Sequence, residues 1–296
     1  MRISLVTPTL NAANYLGEAL SSVREQQIAV EHIAVDGGST DGTLELLHES
    51  GARVVSEPDS GLYDAINKGV GLSTGEVVGF LNADDLLPPG ALAAIVDGFA
   101  SRTNANMVSG GWEVFRDAAA GIETIVKVHD RGAKTLREQD IIHGAPILNA
   151  RFFRRSFLER VGPFDTRWRR CADTDLLMRV LHLDPERATV EPVVYRSRAQ
   201  PGSLTFRGGI EIELTEEKLA LCTSRLAETR GDRPLHARYR RWHSWEAAYM
   251  AWRRVRGGQP LEGARELGMG VKVDPALPLV VAVQVAQHLR MRAQHR

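Results

Sequence analysis

The chain is poor in the features that mark several common classes of protein. Among 296 residues there are two cysteines, Cys171 and Cys222, with no paired spacing and no histidine cluster nearby. Neither a disulfide framework nor a zinc site is indicated, and a reducing compartment is expected. Long apolar runs are missing: the longest starts at Leu277 and reaches little past Val283, far short of the roughly 20 residues that span a bilayer. The opening residues Ile3-Ser4-Leu5-Val6-Thr7 are already strand-like, which leaves no room for a secretory leader, so the expected location is cytoplasmic. No glycine lies between Thr7 and Asn14 after that strand. This disfavours the G-x-G-x-x-G turn of a nicotinamide-dependent oxidoreductase, and equally the glycine-rich loop with Arg and Lys that a sugar-1-phosphate nucleotidyltransferase would carry. Net charge is absent too, with 37 Lys and Arg against 37 Asp and Glu, and nothing in that total points to nucleic acid. The balance hides an asymmetry. From Arg230 onward 13 Lys or Arg face 5 Asp or Glu, a basic tail on an acidic body that suggests an anionic partner.

What is present is alternation. Strand signals at Ile3–Thr7, Glu31–Asp36, Arg53–Ser56 and Val77–Leu81 are each followed by an amphipathic stretch: Tyr15–Gln26, Thr43–Ser50, Leu62–Val70 and Gly90–Ala100. Such a pattern reads as βαβ units on a mostly parallel, Rossmann-like sheet flanked by helices, an α/β fold. Ligands of such sheets lie outside the carboxyl ends of the strands, where Thr7-Pro8, Asp36-Gly37 and Asn82–Asp85 all fall. Residues 107–155 continue the sheet, with strand-like Ile122–Val128 and Ile147–Phe153, the latter read as an edge or mixed strand. Helix signals dominate from Glu211, broken at Gly257-Gly258-Gln259-Pro260.

The junction Val35-Asp36-Gly37-Gly38-Ser39-Thr40-Asp41-Gly42-Thr43 lets the backbone turn sharply and approach a ligand, with Ser39, Thr40 or Asp41 free to cap the next helix. A carboxylate there repels phosphate and suits a base N–H or a ribose hydroxyl, unless Asp36 only caps its own turn. Adjacent carboxylates at Asp84 and Asp85 repel each other unless a cation or donor relieves them, and a hard divalent ion is the economical partner. Asp173 either caps the helix through Leu176–Leu183 or serves as a base. Arg196 and Arg198, before a loop with Pro201-Gly202, are placed to close over a diphosphate. Trp242, Trp245, Tyr249 and Trp252 fall on one helix face among arginines. That stripe either packs as core or meets an anionic membrane surface.

Four pieces in order resemble the nucleotide-binding half of glycosyltransferase family 2: Val6-Thr7-Pro8-Thr9-Leu10-Asn11, Val35–Thr43, Ser56–Gly69 and Gly79–Asp85. The resemblance implies a GT-A fold, with a catalytic domain over 1–205 (nucleotide half 1–105, acceptor half 106–205) and a helical C-terminal extension over 206–296. It implies that Thr7, Pro8 and Asp36 hold the nucleoside, that Asp84 lies by the ribose or diphosphate, that Asp64 and Asn67 line the pocket, and that Asp85 binds Mg2+ or Mn2+. Farther on, Phe152-Phe153-Arg154-Arg155-Ser156, Gly162-Pro163-Phe164-Asp165 and Ala172-Asp173-Thr174-Asp175-Leu176 resemble the acceptor-side signature, in which Asp173 takes the place of the catalytic base. Leu148-Asn149 stand where similar enzymes carry a His-Gln pair. The implied activity is inverting, metal-dependent sugar transfer from a nucleotide diphosphate-sugar to a glycan or lipid-linked acceptor, as in surface polysaccharide or glycolipid biosynthesis, with peripheral contact of the tail on the inner face of the membrane. The alternatives are a non-catalytic sugar-nucleotide binding protein and the nucleotidyltransferase already disfavoured.

Overall fold

The computed structural model describes residues 1–117, 123–129, 136–143, 147–200, 211–275 and 277. Residues 201–203 of the expected basic loop and all of the tail beyond Leu277 lie outside them. The chain divides into two compact units, Met1–Ile141 with Ala145–Phe206 and Ile142–Gly144 with Arg207–Arg296. In chain order the elements are β1 (Ile3–Thr9), α1 (Ala13–Arg24), β2 (Val30–Asp36), α2 (Thr43–Glu49), β3 (Arg53–Ser56), α3 (Leu62–Leu72), β4 (Val77–Phe80), α4 (Ala91–Ser101), β5 (Met107–Asp117), β6 (Glu123–His129), α5 (Glu138–His143), β7 (Arg151–Arg154), α6 (Arg155–Val161), α7 (Ala172–His182), β8 (Arg187–Arg198), α8 (Glu211–Glu228), α9 (Arg233–Arg256) and α10 (Pro260–Val273).

The eight strands form one sheet in the order β3-β2-β1-β4-β7-β5-β6, with β8 pairing β5. β1 pairs in parallel with β2 and β4, and β2 with β3. Every residue of β1 is buried, as expected for an interior parallel strand covered on both faces. The α/β expectation with a helical C-terminal region therefore holds. The expectation that Ile147–Phe153 forms an edge or mixed strand is corrected in part: the strand is Arg151–Arg154, and it lies inside the sheet, antiparallel to both β4 and β5. β4 makes room for it. A Cβ on Gly79 would stand 2.3 Å from the ring of Phe152, so only glycine lets the two strands meet with that ring between them.

In the helical unit α9 opens at Asp232, whose carboxylate accepts from the Leu235 N–H at 3.0 Å ahead of an early proline. Its aromatic stripe is divided rather than uniform. Trp242 is fully buried and donates to Glu246, while Trp252, stacked on Tyr249, is exposed. Reading the whole stripe as one membrane face is thereby corrected. No helix among the described residues is long and apolar enough to cross a membrane.

Replacing Gly79 by Ala forces the Phe152 ring or the strand to move and should destabilise the protein by about 1–3 kcal/mol. At Gly17, inside α1, an added Cβ meets nothing within 4 Å, and Ala there should stabilise by up to about 1 kcal/mol. Urea denaturation midpoints of the two variants, moving in opposite directions, check this.

Candidate active site

The carboxyl ends of β1, β2 and β4 meet as the sequence pattern requires, and hydrogen bonds between loops tie the first two together. Gly37 N–H donates to Thr9 O, and the Asn11 carboxamide oxygen accepts from Thr40 N–H at 2.9 Å. Asn11 N–H in turn donates to Ser39 Oγ at 2.8 Å. Asp41 stands before α2 and accepts from Thr43 N–H and Oγ, while the cap position itself is Gly42 in the left-handed region. Asp36 is fully buried. Its carboxylate accepts from the N–H groups of Gly38 and Ser39, both at 2.9 Å, and from the hydroxyls of Thr9, Ser39 and Ser56. Burial alone would raise its pKa, but these donors outweigh it and hold the carboxyl below its usual range. Both Asp36 oxygens are engaged by donors from β1, β3 and the loop after β2. Thr7 is buried as well, its hydroxyl 2.9 Å from His32 Nε2, and burial lowers His32 to about 4, so that imidazole is neutral. Pro8 lies beside Thr7 within β1, paired with Val35.

After β4 the two adjacent carboxylates part company. Asp85 is 2% exposed. It accepts from the Tyr195 hydroxyl at 2.5 Å, from Arg198 N–H at 2.7 Å and from the Asn82 amide at 2.9 Å. Burial first, and then the charge of Asp84, push its pKa up to about 7. Asp85, the expected metal ligand, thus has its oxygens engaged by β8 and by Asn82. Asp84 is only half-buried and accepts from the Gln200 amide at 2.7 Å. Among the described residues no group of three or more His, Cys, Asp and Glu side chains is placed to hold a metal. An oxygen set of one presented carboxylate nevertheless fits a hard divalent cation that keeps waters and phosphate oxygens, and the push of Asp84 on Asp85 is the repulsion such a cation would relieve.

On the other side of β4, Tyr63 of α3 stacks on Phe164 at 5.3 Å, and Phe164 meets Phe80 edge-on at 5.8 Å. Burial first, and then the charge of the neighbouring Asp173, hold the Tyr63 hydroxyl well above its usual range. Asp173 is half-buried in the first turn of α7, and its Oδ1 accepts from Thr174 N–H at 2.7 Å. Asp175 instead is fully buried against Arg179, whose guanidinium holds the carbonyls of Val161, Gly162 and Pro163. Asn67 exchanges two 2.9 Å bonds with the Phe164 peptide. Its amide therefore anchors the segment before α7. Asp64 accepts from Ser60 N–H and pairs with Lys68 at 3.6 Å, holding the loop that leads into α3.

The arginines expected to close over a diphosphate are already occupied. Arg198 is 2% exposed, between the rings of Tyr15 and Phe115, and its guanidinium bonds Asp84 O, Glu18 and Asp117. Arg196 is held by Glu113 at 2.6 Å. Sequence reasoning missed Tyr63, Tyr195 and Gln200. Tyr195 closes a chain, since its hydroxyl also accepts from Asn149 Nδ2 at 2.6 Å. Its position in a strand 110 residues from Asp85 left no local signal.

The model of the family described as Glycosyl transferase family 2 matches residues 4–162, more than half of the chain. A PGL/p-HBAD biosynthesis glycosyltransferase of Mycobacterium tuberculosis is 32% identical over 183 residues, which cover 60% of this chain and 68% of the relative. The fold resembles that of S. aureus TarS 1–349, crystallised with UDP-GlcNAc, at a TM-score of 0.65 and 16% identity, over 95% of this chain and 83% of that one. It also resembles a mannosyltransferase of Pyrobaculum calidifontis, crystallised with GDP-Man and Mn2+, at a TM-score of 0.60 and 19% identity, over 98% and 80%. The architecture is of GT-A type.

Removing the Tyr195 hydroxyl leaves the Asn82 and Asn149 donors and one Asp85 oxygen short of a partner, so Tyr195→Phe should destabilise by about 1–3 kcal/mol. Asp84→Ala, at a half-buried position with one partner, should change stability by under about 1 kcal/mol. Chemical denaturation of both variants measures the contrast.

Proposed function

We propose, from the premise that the chain belongs to glycosyl transferase family 2, that it moves a sugar from a nucleotide diphosphate-sugar to an acceptor hydroxyl with inversion at the anomeric carbon. One observation carries the reading: of the carboxylates at the strand ends and on α7, Asp84 and Asp173 remain half-exposed while Asp36, Asp85 and Asp175 are buried in the scaffold. The nucleoside is assigned to Thr7 and Pro8 of β1 and to Asp36 with the loop it braces. Asp64 and Asn67 support the same pocket from α3, Asn67 by fixing the Phe164 segment. Asp84 lies by the ribose and diphosphate, and Asp85 beside it is the residue proposed for Mg2+ or Mn2+, which when bound would neutralise the charge growing on the leaving diphosphate. Asp173 accepts the proton of the acceptor hydroxyl as that oxygen bonds the anomeric carbon. The bond to the diphosphate oxygen breaks with its electron pair on the opposite side, so a single displacement inverts the centre. Tyr63 keeps the Asp173 carboxylate oriented.

The proposed acceptor is a glycan or lipid-linked sugar of surface polysaccharide or glycolipid biosynthesis, reached from the inner face of the membrane. Trp252, Val255 and Leu261 are exposed around the α9–α10 turn among Arg253 and Arg256, a surface that suits anionic headgroups. Co-sedimentation with anionic vesicles should fall with salt and with the double change Trp252→Ala, Leu261→Ala. Equal pelleting of that variant removes the membrane contact.

Two substitutions test the chemistry. Asp84→Asn should abolish the Mn2+-dependent rise in melting temperature that a UDP- or GDP-sugar gives the parent protein, because only a ligand of the folded state stabilises it. Asp173→Asn should keep that rise and lower turnover by about 10²–10⁴-fold. Donor binding without any transfer by the parent protein, across acceptors, leaves a binding module instead.

A further inference from the structure

Arg151, the first residue of β7, is a buried cation without a counter-ion among the described residues. It is 1% exposed. Among the described residues its guanidinium donates once, from Nη1 to Ser109 Oγ at 3.0 Å, and its Nε is buried with no partner. Among the described residues no carboxylate lies within ion-pair distance. Asp140 acts on it only through space and is itself held by Arg137 at 3.0 and 3.2 Å, while Arg187 adds a second positive charge nearby. Burial draws the Arg151 pKa down to about 10, which leaves it charged at neutral pH. With Nη1 taken, the free edge is the side-on fork of Nε and Nη2, two parallel N–H vectors that match two oxygens of one carboxylate or phosphate.

Its place in the fold says which ligand. Arg151 and Phe153 alternate with Phe152 and so share a sheet face. Phe153 packs by Phe80, and from Phe80 the rings of Phe164 and Tyr63 lead to Asp173. The pairing of Val78 with Phe153 sets Arg151 beyond the middle of β4, toward the end that runs into Asn82–Asp85. Two residues earlier, Asn149 bonds Tyr195 of the Asp85 network.

We propose that the Nε–Nη2 edge of Arg151 binds an oxyanion, carboxylate or phosphate, carried by the acceptor, an inference that rests on the glycosyl-transfer reading and makes the acceptor an acidic or phosphorylated one. The test is the side-chain Nε–H signal of Arg151 in 15N-labelled full chain, identified by its loss in Arg151→Lys and, should that variant not fold, by its displacement in Ser109→Ala. Inorganic phosphate in one arm and acetate in the other should shift that signal saturably, and the ion with the larger response names the group. The proposal is overturned if neither ion moves the signal at concentrations that move exposed arginines. It is overturned equally if Asp140→Asn displaces the signal and lowers the melting temperature as much as Arg151→Lys, since Asp140 is then the counter-ion. Because no turnover is read, a titrating Arg151 beside a fully active Asp173→Asn separates failure of the catalytic reading from failure of this one.

Discussion

The site depends on one buried carboxylate. Asp85 gathers the Tyr195 hydroxyl, the Arg198 N–H and the Asn82 amide, and in doing so fastens β8 to the turn that follows β4. A carboxylate withdrawn from water is tolerable only when its oxygens are satisfied, so the three donors are a condition of the turn rather than an addition to it. Once β8 is fastened, Arg198 reaches the Asp84 carbonyl and Gln200 reaches the Asp84 carboxylate. The aim of the presented carboxylate is inherited from the hidden one.

Asp36 repeats the device one strand away. Five donors from three segments converge on it, and the loops after β1 and β2 are held as a single wall. Both anions are structural in the sense that they orient backbone and neighbours. Asp84 and Asp173, by contrast, are half-buried.

Much of the fold was legible. Apolar strands followed by amphipathic helices announced the parallel half; the observed ends coincide with the expected ones at Arg53–Ser56 and differ by one residue at Thr43–Glu49 and Val77–Phe80. The acceptor half was read less well. β7 is four residues long and its interior place is set by Gly79 and Phe152, a contact between strands that no periodicity records. In the candidate site, the sequence located the carboxylates but could not say which way each one turns. Asp84 and Asp85 are neighbours with opposite environments, and the donor that draws Asp85 inward, Tyr195, lies in another strand. Residues whose partners are distant, Asn67 with Phe164 and Arg198 with Glu18, looked like ligand groups for the same reason.

The reversed strand between β4 and β5 also bears on how the chain is born. β4 is synthesised with β1 already available on one side, but its other neighbour is β7, some seventy residues later. At the roughly 5–20 residues per second of translation, the open edge of β4 waits on the order of several seconds for its partner. During that interval the Phe152 slot beside Gly79 is an unfilled apolar notch on a nascent sheet. The strands that precede β5 therefore cannot close their core before β7 emerges.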